Sequence, residues 1–469
     1  MQHLVWFRND LRTADNPALH AAMQEGDKVL AVYIDCPGQW REHGNSPIQR
    51  DFLNRNLQSL SEALAALGVS LSVLECDRFD QVPALLSAFV QEQEVDALYA
   101  NRDIGINERR RDKAVQQQLN IPCRVFNGDC VINHGSIATQ NGEMYKVFTP
   151  YSRAWLSTLK AQGYRLLPVP EAMNRVCKAV KVALSGEMKD SSDWHAGEPA
   201  AQQALAHFCA ESLAGYGELR DFPAVEGTSR LSPYLALGIL SPNQCLAAIE
   251  AELGALPFGK GEQGFSWLNE IIWREFYRHL LVAFPRLSMN RAFKPETEAL
   301  QWSQGDDVFK AWCEGQTGYP IVDAAMRCLK STGWMHNRLR MIVASFLTKD
   351  LHIDWHRGEA WFMAHLIDGE LAANNGGWQW AAGTGADAAP YFRVFNPATQ
   401  SERFDASGDF IRRWVPELED VPAKYIHAPH AWLGERRRES DYAPPVVDHA
   451  RARKYAIAMF DALKDKEES

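Results

Sequence analysis

Several features that would place the chain in a special class are missing from it. No apolar run approaches the ~18 residues that a membrane span requires. Charged Arg8, Asp10 and Arg12 follow the first short apolar run, which is unlike a secretory signal. The nine cysteines are scattered singly, with no Cys-x-x-Cys pair and no Cys/His cluster at metal spacing. We therefore expect a cytoplasmic chain with reduced thiols, no membrane partner and no metal site.

The composition is otherwise that of an ordinary globular protein. Its 469 residues are 46% apolar and 23% charged, and they are enough for more than one domain. The formal net charge of −10 counts against a nucleic-acid partner only if the charge is spread evenly, because phosphate contact depends on a local basic patch. Twelve of the fifteen tryptophans lie from Trp194 onward, so the two ends of the chain differ.

The pattern of residues 1–128 predicts a doubly wound parallel sheet. Short apolar runs alternate there with amphipathic helical patterns. The Gly-x-Gly-x-x-Gly loop of dinucleotide-binding domains is absent after the first run, where Arg8-Asn-Asp-Leu-Arg-Thr13 stands instead. The domain therefore lacks the usual dinucleotide loop, although the carboxyl ends of its strands could still hold a ligand.

The rest of the chain predicts a linker followed by helices. Residues 129–195 have weak periodicity, with one short helix near 147–155, and predict a long interdomain linker. Beyond residue 196 helical patterns dominate as far as residue 367, and strand patterns nearly vanish. The predicted fold class is α/β plus all-α, with an N-terminal sheet domain, a linker, and an all-helical domain over 196–469.

Two stretches of the helical half suit a bound ligand but have ordinary explanations. Leu366–Trp380 combines carboxylates, asparagines, tryptophans and a glycine pair that lets backbone come close to a ligand, yet a well-packed irregular loop explains it equally well. Gly227–Ser232 places a cation and three hydroxyls before a helix that Ser232 is expected to cap. That pattern suits an anion such as phosphate, and it also suits a plain capped turn.

A predicted helix over 264–284 places Glu270, Trp273, Arg274 and Tyr277 on one face, because they stand at i, i+3, i+4 and i+7. A carboxylate, a cation and two large aromatics on one face favour a pocket for a flat polar ligand. The alternative is a solvated face with an ion pair.

A second predicted helix, over 334–349, places Asn337 and Met341 on one face, with Arg338 and Arg340 at its edges. Basic residues among tryptophans suit phosphate contact and base stacking. A charge-lined structural helix remains the alternative.

Together these stretches resemble the DNA photolyase/cryptochrome family, and in detail a class I cyclobutane pyrimidine dimer (CPD) photolyase. The resemblance covers nearly the whole chain. Its densest motifs are Gly227-Thr-Ser-Arg-Leu-Ser232, Ile272-Trp-Arg-Glu-Phe-Tyr-Arg-His279, Gly333-Trp-Met-His-Asn-Arg-Leu-Arg-Met341 and Asp368-Gly-Glu-Leu-Ala-Ala-Asn-Asn-Gly-Gly-Trp-Gln-Trp380. It implies a monomeric carbon–carbon lyase that repairs UV-damaged DNA with light.

By this resemblance the helical domain binds a U-shaped FAD without a covalent bond. Arg340 and Asp368 match an ion pair beside the flavin ring, and Asn374 matches the residue that faces the flavin N5 and stabilises a reduced flavin. The other positions that match flavin contacts are Tyr216, Thr228, Ser229, Leu231, Ser232, Trp267, Arg274, Asn337 and Glu370.

The resemblance also separates photoreduction from repair. Trp378, Trp355 and Trp302 match an electron path from the flavin to the surface, which reduces the flavin. In repair, the excited reduced flavin lends an electron to the dimer, the cyclobutane ring splits and the electron returns. Glu270 matches the residue that hydrogen-bonds the dimer and stabilises its radical anion.

Photolyases flip their target out of the DNA helix, so a pocket and a phosphate track are both implied. Trp273 and Trp380 would wall the pocket. Asn337 and Met341 would line it, with Asn337 near both dimer and flavin. The remaining matches are Arg220 and Arg338, which would hold flanking phosphates, and Gln400, a further DNA contact.

The N-terminal domain would carry a light-harvesting antenna. His43, Asn107 and Glu108 match positions that contact a folate, 5,10-methenyltetrahydrofolate. Ser288 and Met289 stand where a folate-binding relative has Cys and Lys. That departure leaves a deazaflavin open as the alternative antenna.

Three other functions are weighed against repair. A cryptochrome would carry Asp or Cys at Asn374, and the 72 residues after Pro397 leave no room for a long signalling tail. A (6-4) photolyase would carry two histidines where Asn337 and Met341 stand. A flavin electron carrier, or a DNA-binding module without repair activity, would not need Glu270 together with a tryptophan-walled pocket.

Overall fold

The computed structural model describes residues 1–435 and 441–467, and side chains as far as residue 463. The chain forms two compact units. Unit 1 comprises residues 1–217, 229–289 and 367–372, and unit 2 comprises residues 218–228, 290–366 and 373–469. Within the described ranges, no helix is long and apolar enough to cross a membrane.

Unit 1 contains a five-stranded sheet in the order β3-β2-β1-β4-β5, with every neighbouring pair parallel. The strands are β1 (Gln2–Phe7), β2 (Lys28–Asp35), β3 (Ser70–Glu75), β4 (Ala97–Asn101) and β5 (Cys123–Phe126). The central strands β1 and β4 are buried almost throughout, as expected for continuous apolar runs covered on both faces. The predicted doubly wound parallel sheet is confirmed.

The helices between these strands are α1 (Pro17–Glu25), α2 (Pro37–Glu42), α3 (Pro47–Ala66), α4 (Val82–Glu92) and α5 (Ile106–Gln118). Four of the five have a proline in the first two helical positions, and α5 begins after Gly105. Asn16 and Ser46 cap α1 and α3 by accepting backbone N–H groups with their side chains.

A buried polar network takes the place of the missing glycine loop. Asn101, at the end of β4, donates to Asp10 Oδ2 at 2.7 Å and to Asn16 Oδ1 at 2.8 Å. Asp10 in turn accepts the backbone N–H of Arg8 at 2.7 Å. The turn after β1 is therefore closed by side chains, where a dinucleotide-binding domain would leave backbone N–H groups for a phosphate.

The connector predicted for residues 129–195 packs along α3 in unit 1. Its backbone N–H groups at Val180, Val182 and Leu184 donate to the side chains of Ser61, Gln58 and Asn54, each at 2.9 Å. These bonds satisfy the backbone N–H groups of an extended segment that lies outside the sheet. The short helix expected near 147–155 is present and longer, as α6 (Phe148–Gln162).

The further helices of unit 1 include the one predicted to carry a ligand face. They are α7 (Glu198–Glu211), α8 (Tyr216–Leu219, which crosses into unit 2), α9 (Ser232–Ala236), α10 (Pro242–Leu253) and α11 (Phe265–Ala283). Ser241 caps α10 with a complete capping box. The expected cap at Ser232 is wrong, because Ser232 is the first helical residue and Leu231 precedes it without a side-chain cap.

Unit 2 is helical around one large core. Its helices are α12 (Asp306–Glu314), α13 (Pro320–Thr332), α14 (Asn337–Ser345), α15 (Trp355–Met363), α16 (Leu371–Ala382, which starts in unit 1), α17 (Pro397–Phe404), α18 (Asp409–Trp414), α19 (Ala423–Ile426), α20 (His430–Glu435) and α21 (His449–Glu467). Trp312, Trp355 and Trp378 are buried in this core.

The sequence pattern missed every helix after residue 367. The clearest case is α16, since a loop was an open reading for Leu366–Trp380 and residues 371–382 are helical. Gly376 and Gly377 lower the intrinsic helix propensity of this segment, and tertiary packing overrides that preference. The two glycines therefore belong to a helix face and not to a loop.

Lys349 is buried in unit 2, on the π-helical turn Phe346–Asp350 that follows α14. Its Nζ donates to the carbonyl oxygen of Ala382 at 2.8 Å and lies 3.8 Å from the centre of the Phe460 ring. Burial and, secondarily, the charge of Lys294 lower the pKa of Lys349 from 10.5 to about 7. Between about pH 7 and pH 10.5 the unfolded chain therefore binds more protons at Lys349 than the folded chain does.

We expect Lys349 to make the protein more stable as pH rises from about 7 toward 10, with a slope of at most about 1.4 kcal/mol per pH unit. Lys349→Met removes the buried amine and should flatten this dependence while raising stability near neutral pH. Urea unfolding across that pH range measures the difference. Exposed Lys310→Met is the control and should keep the wild-type slope; parallel curves for wild type and Lys349→Met would contradict the assignment.

Candidate functional site

In unit 1, α11 places the four predicted residues on one face. Glu270, Trp273, Arg274 and Tyr277 are all partly exposed there, while Leu268, Ile271 and Ile272 are buried behind them. This separation confirms the predicted helix and its two faces.

Aromatic contacts hold two further predicted residues together in unit 1. Phe208 of α7 packs against Trp267 with ring centres 4.8 Å apart, and against Tyr216 at 5.8 Å. Tyr216 and Trp267 were both predicted as flavin contacts by the resemblance, and Phe208 is the residue between them that sequence reasoning missed. Its position on the buried face of α7 gave no reason to single it out.

Trp273 is stacked on Phe148, the first residue of α6, with ring centres 3.6 Å apart and planes 6° from parallel. One face of the indole is thereby covered by the connector, and the ring is locked in orientation. An aromatic wall for a flat ligand requires such fixed rings. Phe148 was not predicted to take part.

Arg274 lacks a carboxylate partner among the described residues. Its guanidinium donates to the carbonyl oxygens of Asp129 at 2.7 Å and Leu235 at 3.5 Å. Burial, followed by the like charge of Arg278, lowers the pKa of Arg274 from its ordinary value. A partly desolvated cation held only by carbonyls suits an anionic ligand such as phosphate.

Arg278 joins two carboxylates that are far apart in the chain. Its guanidinium donates to Asp129 Oδ2 and to Glu370 Oε1, each at 2.9 Å. Burial alone would raise the pKa of Asp129, but the charges of Arg278, His134 and Arg274 lower it to about 2. Glu370 also accepts the backbone N–H of Ala372 at 3.1 Å, in the first turn of α16.

The predicted anion turn contains a strained residue. Arg230 adopts a positive φ of 50°, which is unusual for a residue with a Cβ. Its guanidinium lies 4.8 Å from the centre of the Trp194 ring. Leu231 is buried and Ser232 is exposed at the start of α9. Strained backbone is often found at ligand-binding sites, so this turn stays a candidate.

In unit 2 the structure brings two of the predicted phosphate-binding cations to one carboxylate. Arg338 of α14 donates to Asp221 Oδ1 at 2.7 Å, and Arg220 Nε lies 4.0 Å from the same oxygen. Arg338 also stacks over Phe404 at 4.4 Å. Arg340, on the same helix, donates instead to the Met335 carbonyl at 2.7 Å. These contacts of the two arginines at the edges of α14 are with different groups.

The start of α16 is anchored by its asparagines. Asn374 Nδ2 donates to the carbonyl oxygen of Glu359 at 3.0 Å, and Asn375 Nδ2 donates to Glu359 Oε1 at 3.0 Å. A Cβ built on Gly377 would meet no heavy atom within 4 Å, so this turn of the helix presents bare backbone. Asn374 and Gly377 are three residues apart and share a face, which suits close approach of a planar group.

The three predicted electron-path tryptophans all belong to the core of unit 2, where Trp302 is at the edge and Trp355 and Trp378 are buried. Trp302 and Trp355 lie in segments joined by a backbone bridge between Ser303 and Ile353. Trp378 packs edge-on against Trp312, with ring centres 6.0 Å apart. Trp312 was not singled out from the sequence, where it looks like any core tryptophan.

Trp378 is held in place by close packing. A Cβ on Gly358 of α15 would lie 2.1 Å from the indole ring, so only glycine fits there. The indole Nε1 of Trp378 is buried and has no hydrogen-bond partner in the described part of the chain. Buried N–H groups in proteins are usually hydrogen-bonded, so the Trp378 indole is an exception.

The other predicted DNA contacts also lie in unit 2. Met341 on α14, Trp380 on α16 and Gln400 on α17 are partly buried, and Asn337 at the start of α14 is exposed. Trp380 packs at the edge of the unit 2 core.

A small, partly open cavity with room for about one water molecule lies at the carboxyl ends of β1 and β2 in unit 1, and it is lined among others by Trp6, Phe79 and Glu108. The guanidiniums of Arg8 and Arg111 stack over Trp6 at 4.3 Å and 4.8 Å inside it. Carboxyl ends of parallel strands are the usual ligand-binding edge.

The three predicted antenna residues meet at the rim of this cavity. His43 Nδ1 lies 3.7 Å from Glu108 Oε1, and His43 Nε2 lies 3.2 Å from Asn107 Nδ2. Burial, followed by the charge of Asp103, raises the pKa of Glu108. Ser288 and Met289, which depart from the folate-binding pattern, form the end of a 3₁₀ turn in the same unit.

The fold and these residues define a class of protein: a chain with a parallel α/β sheet and many further helices, which carry aromatic and cationic ligand positions in both units. The profile described as "DNA photolyase" matches residues 3–173, and that described as "FAD binding domain of DNA photolyase" matches residues 267–462. The chain belongs to the DNA photolyase family.

Similar proteins cover the whole chain. The deoxyribodipyrimidine photo-lyase of Escherichia coli is 48% identical over 479 residues, and that of Vibrio cholerae is 47% identical over 470 residues; each comparison covers 98% of this chain and 99% of the relative. The crystal structure of a class III photolyase from Agrobacterium tumefaciens superposes with a TM-score of 0.87 at 38% identity, covering 99% of this chain and 98% of that one.

Proposed function

We propose that the chain is a deoxyribodipyrimidine photo-lyase that uses light to split cyclobutane pyrimidine dimers in DNA. The observation that carries the proposal is the exposed face of α11, where Glu270 stands beside the stacked ring of Trp273 and the carbonyl-held Arg274. It unites a carboxyl group that can hydrogen-bond, a fixed aromatic wall and a cation held by two backbone carbonyls. The class I assignment within the family rests on the motifs alone.

The residues described fit a bound FAD. In unit 1, Arg274 would hold a phosphate, the Ser229–Ser232 turn would add hydroxyl and backbone donors, and Tyr216 and Trp267 would supply aromatic surface. In unit 2, Asn374 and the bare backbone at Gly377 suit a planar ring. When bound and reduced, FAD supplies the light-excited electron donor.

The other predicted flavin contacts would complete this set, and they are Thr228, Leu231, Asn337, Arg340, Asp368 and Glu370.

Asn374 is proposed to tune the flavin N5. Its amide is oriented by donation to the Glu359 carbonyl, so the side chain cannot rotate freely. An amide hydrogen-bonds both a neutral and an anionic nitrogen, whereas a carboxylate favours the protonated form. This residue therefore favours repair over the cryptochrome alternative, in which Asp or Cys is expected at the same position.

DNA is proposed to be held by phosphate contacts and a pocket. Arg220 and Arg338 share Asp221, and phosphates would compete with that carboxylate for them. In unit 1, Trp273 would offer an aromatic face to the flipped dimer. In unit 2, Trp380 would offer another, and Met341, Asn337 and Gln400 would contact the DNA. Glu270 would hydrogen-bond the dimer. Splitting breaks two carbon–carbon bonds and leaves no net oxidation or reduction.

A folate is proposed as the antenna, at the cavity rim formed by His43, Asn107 and Glu108. The interior of the cavity is less suited to a planar chromophore, because the guanidiniums of Arg8 and Arg111 already stack on the Trp6 ring. Ion pairs with Asp103 and Asp112 hold both guanidiniums there. A deazaflavin that entered the interior would have to displace them.

Glu270→Ala is expected to lower repair at least about tenfold while FAD stays bound, because one transition-state contact to the dimer is lost. Reduced enzyme is mixed with dimer-containing oligonucleotide, illuminated with blue light, and restored thymines are counted. Arg274→Gln is the contrasting variant and should lose FAD itself. No repair by reduced, FAD-loaded wild type would refute the function; flavin loss in Glu270→Ala would mean that its role is misassigned.

Trp302→Phe should slow photoreduction of oxidised flavin, because phenylalanine is much harder to oxidise, and should spare repair by chemically reduced enzyme. Flavin absorbance under illumination with an external reductant measures the first rate, and the oligonucleotide assay measures the second. Trp361→Phe is the matched control at the edge of the same core. Equal photoreduction rates in both variants would remove Trp302 from the electron path.

His43→Ala should release the antenna and keep FAD, because His43 contacts both other rim residues. Chromophores extracted from the purified protein are identified by mass spectrometry, with exposed His207→Ala as the control. A folate lost only from His43→Ala supports the rim site. A deazaflavin in wild-type protein would overturn the folate assignment without affecting the proposed repair reaction.

A further inference from the structure

Unit 1 contains a cluster of metal-ligating side chains that the proposed repair reaction does not use. Cys130 and His134 lie on the connector shortly after β5, and His279 lies on α11. One ligand atom from each lies within 4.8 Å of the others. Cys130 and His279 are buried, and the side chain of His134 is 4% exposed.

The hydrogen bonds of His279 leave one nitrogen available. Its Nε2 lies 3.1 Å from the carbonyl oxygen of Ile132, and a carbonyl can only accept, so Nε2 carries the hydrogen. Nδ1 is therefore a lone-pair nitrogen, and it is buried with no hydrogen-bond partner among the described residues. Metal-bound histidines are oriented in this way, with the second nitrogen donating to a carbonyl.

His134 and Cys130 complete the arrangement. His134 Nε2 lies 3.4 Å from Cys130 Sγ, and two ligands of one tetrahedral zinc ion, at about 2.0 Å and 2.3 Å from it, stand about 3.5 Å apart. His134 Nδ1 is also buried and lacks a hydrogen-bond partner in the described ranges. Asp129 Oδ2 lies 3.8 Å from His134 Nε2, and its charge is already balanced by the Arg278 guanidinium at 2.9 Å.

We propose that Cys130, His134 and His279 bind a zinc-type divalent cation. One thiolate and two imidazoles select a borderline-soft ion of this kind over magnesium or calcium, which require oxygen ligands. Binding replaces the thiol proton of Cys130 by the metal and releases that proton to solvent. The ion would be structural, since it joins the connector to α11, the helix of Glu270, Trp273 and Arg274.

Zinc content and coordination test the proposal on the FAD-loaded protein. The protein is treated with a chelator, dialysed against buffered Zn²⁺ and analysed for bound metal. Wild type should retain about one zinc per chain, and X-ray absorption at the zinc edge should show one sulfur near 2.3 Å with nitrogen ligands near 2.0 Å. This spectrum needs no variant, so it stays decisive if a variant fails to fold.

The variants Cys130→Ser and His134→Ala should each weaken zinc binding at least about tenfold. Cys245→Ser, at another buried cysteine of unit 1, is the matched control and should bind as wild type does. Zinc held equally by His134→Ala, a spectrum without sulfur, or no retained zinc would each overturn the site and leave Cys130 and His134 as a simple thiol–imidazole contact. These outcomes do not depend on repair activity, so they are separate from a failure of the proposed function.

Discussion

The ion network centred on Arg278 is the interaction on which unit 1 most depends. Arg278 stands on α11, Asp129 begins the connector, and Glu370 precedes α16, so one guanidinium joins three segments that are distant in the chain. Buried pairs of this kind add little net stability when formed, but removing one partner costs about 3–5 kcal/mol, because a charge is left without compensation. The network therefore determines how these three segments are arranged more than it adds to the stability of the fold.

The same network determines how Arg274 can act. Asp129 accepts Arg278 with its carboxylate and Arg274 with its backbone carbonyl, so it divides its acceptors between the two cations. Since Arg278 takes the carboxylates, Arg274 keeps its charge for a ligand. Connector, helix and proposed phosphate contact are thus parts of one electrostatic arrangement.

The sheet was predictable from the sequence and much of the helical part was not. Buried parallel strands are short apolar runs with clear ends, and β1 to β5 fall where those runs do. In α16 the local preference points the other way, because Gly376 and Gly377 disfavour helix and only packing in the folded chain compensates. The cap predicted at Ser232 was wrong by one residue. Helix ends are commonly uncertain by about that much when they are predicted from a sequence pattern.

The site residues likewise include some that could be predicted from the sequence and some that could not. The face of α11 follows from helical spacing, and the motifs supplied Asn374 and Arg338. Phe148 and Phe208 could not be found from the sequence, because each matters only through its contact with a segment that is distant in the chain. Cys130 and His134 are four residues apart, which a search for that spacing could have noticed, but His279 joins them only through the fold.

The contact between Gly358 and Trp378 has a consequence for how this protein can vary. The glycine does not have a positive φ, so a side chain is forbidden there by contacts: a Cβ would lie 2.1 Å from the indole ring of Trp378 and 2.6 Å from Leu347 Cδ2. A larger residue at 358 would be tolerated only with a smaller ring at 378 and a shifted Leu347 side chain. The two positions are therefore expected to change together or not at all among natural sequences, and a library that randomises one without the other would lose most of its members to misfolding.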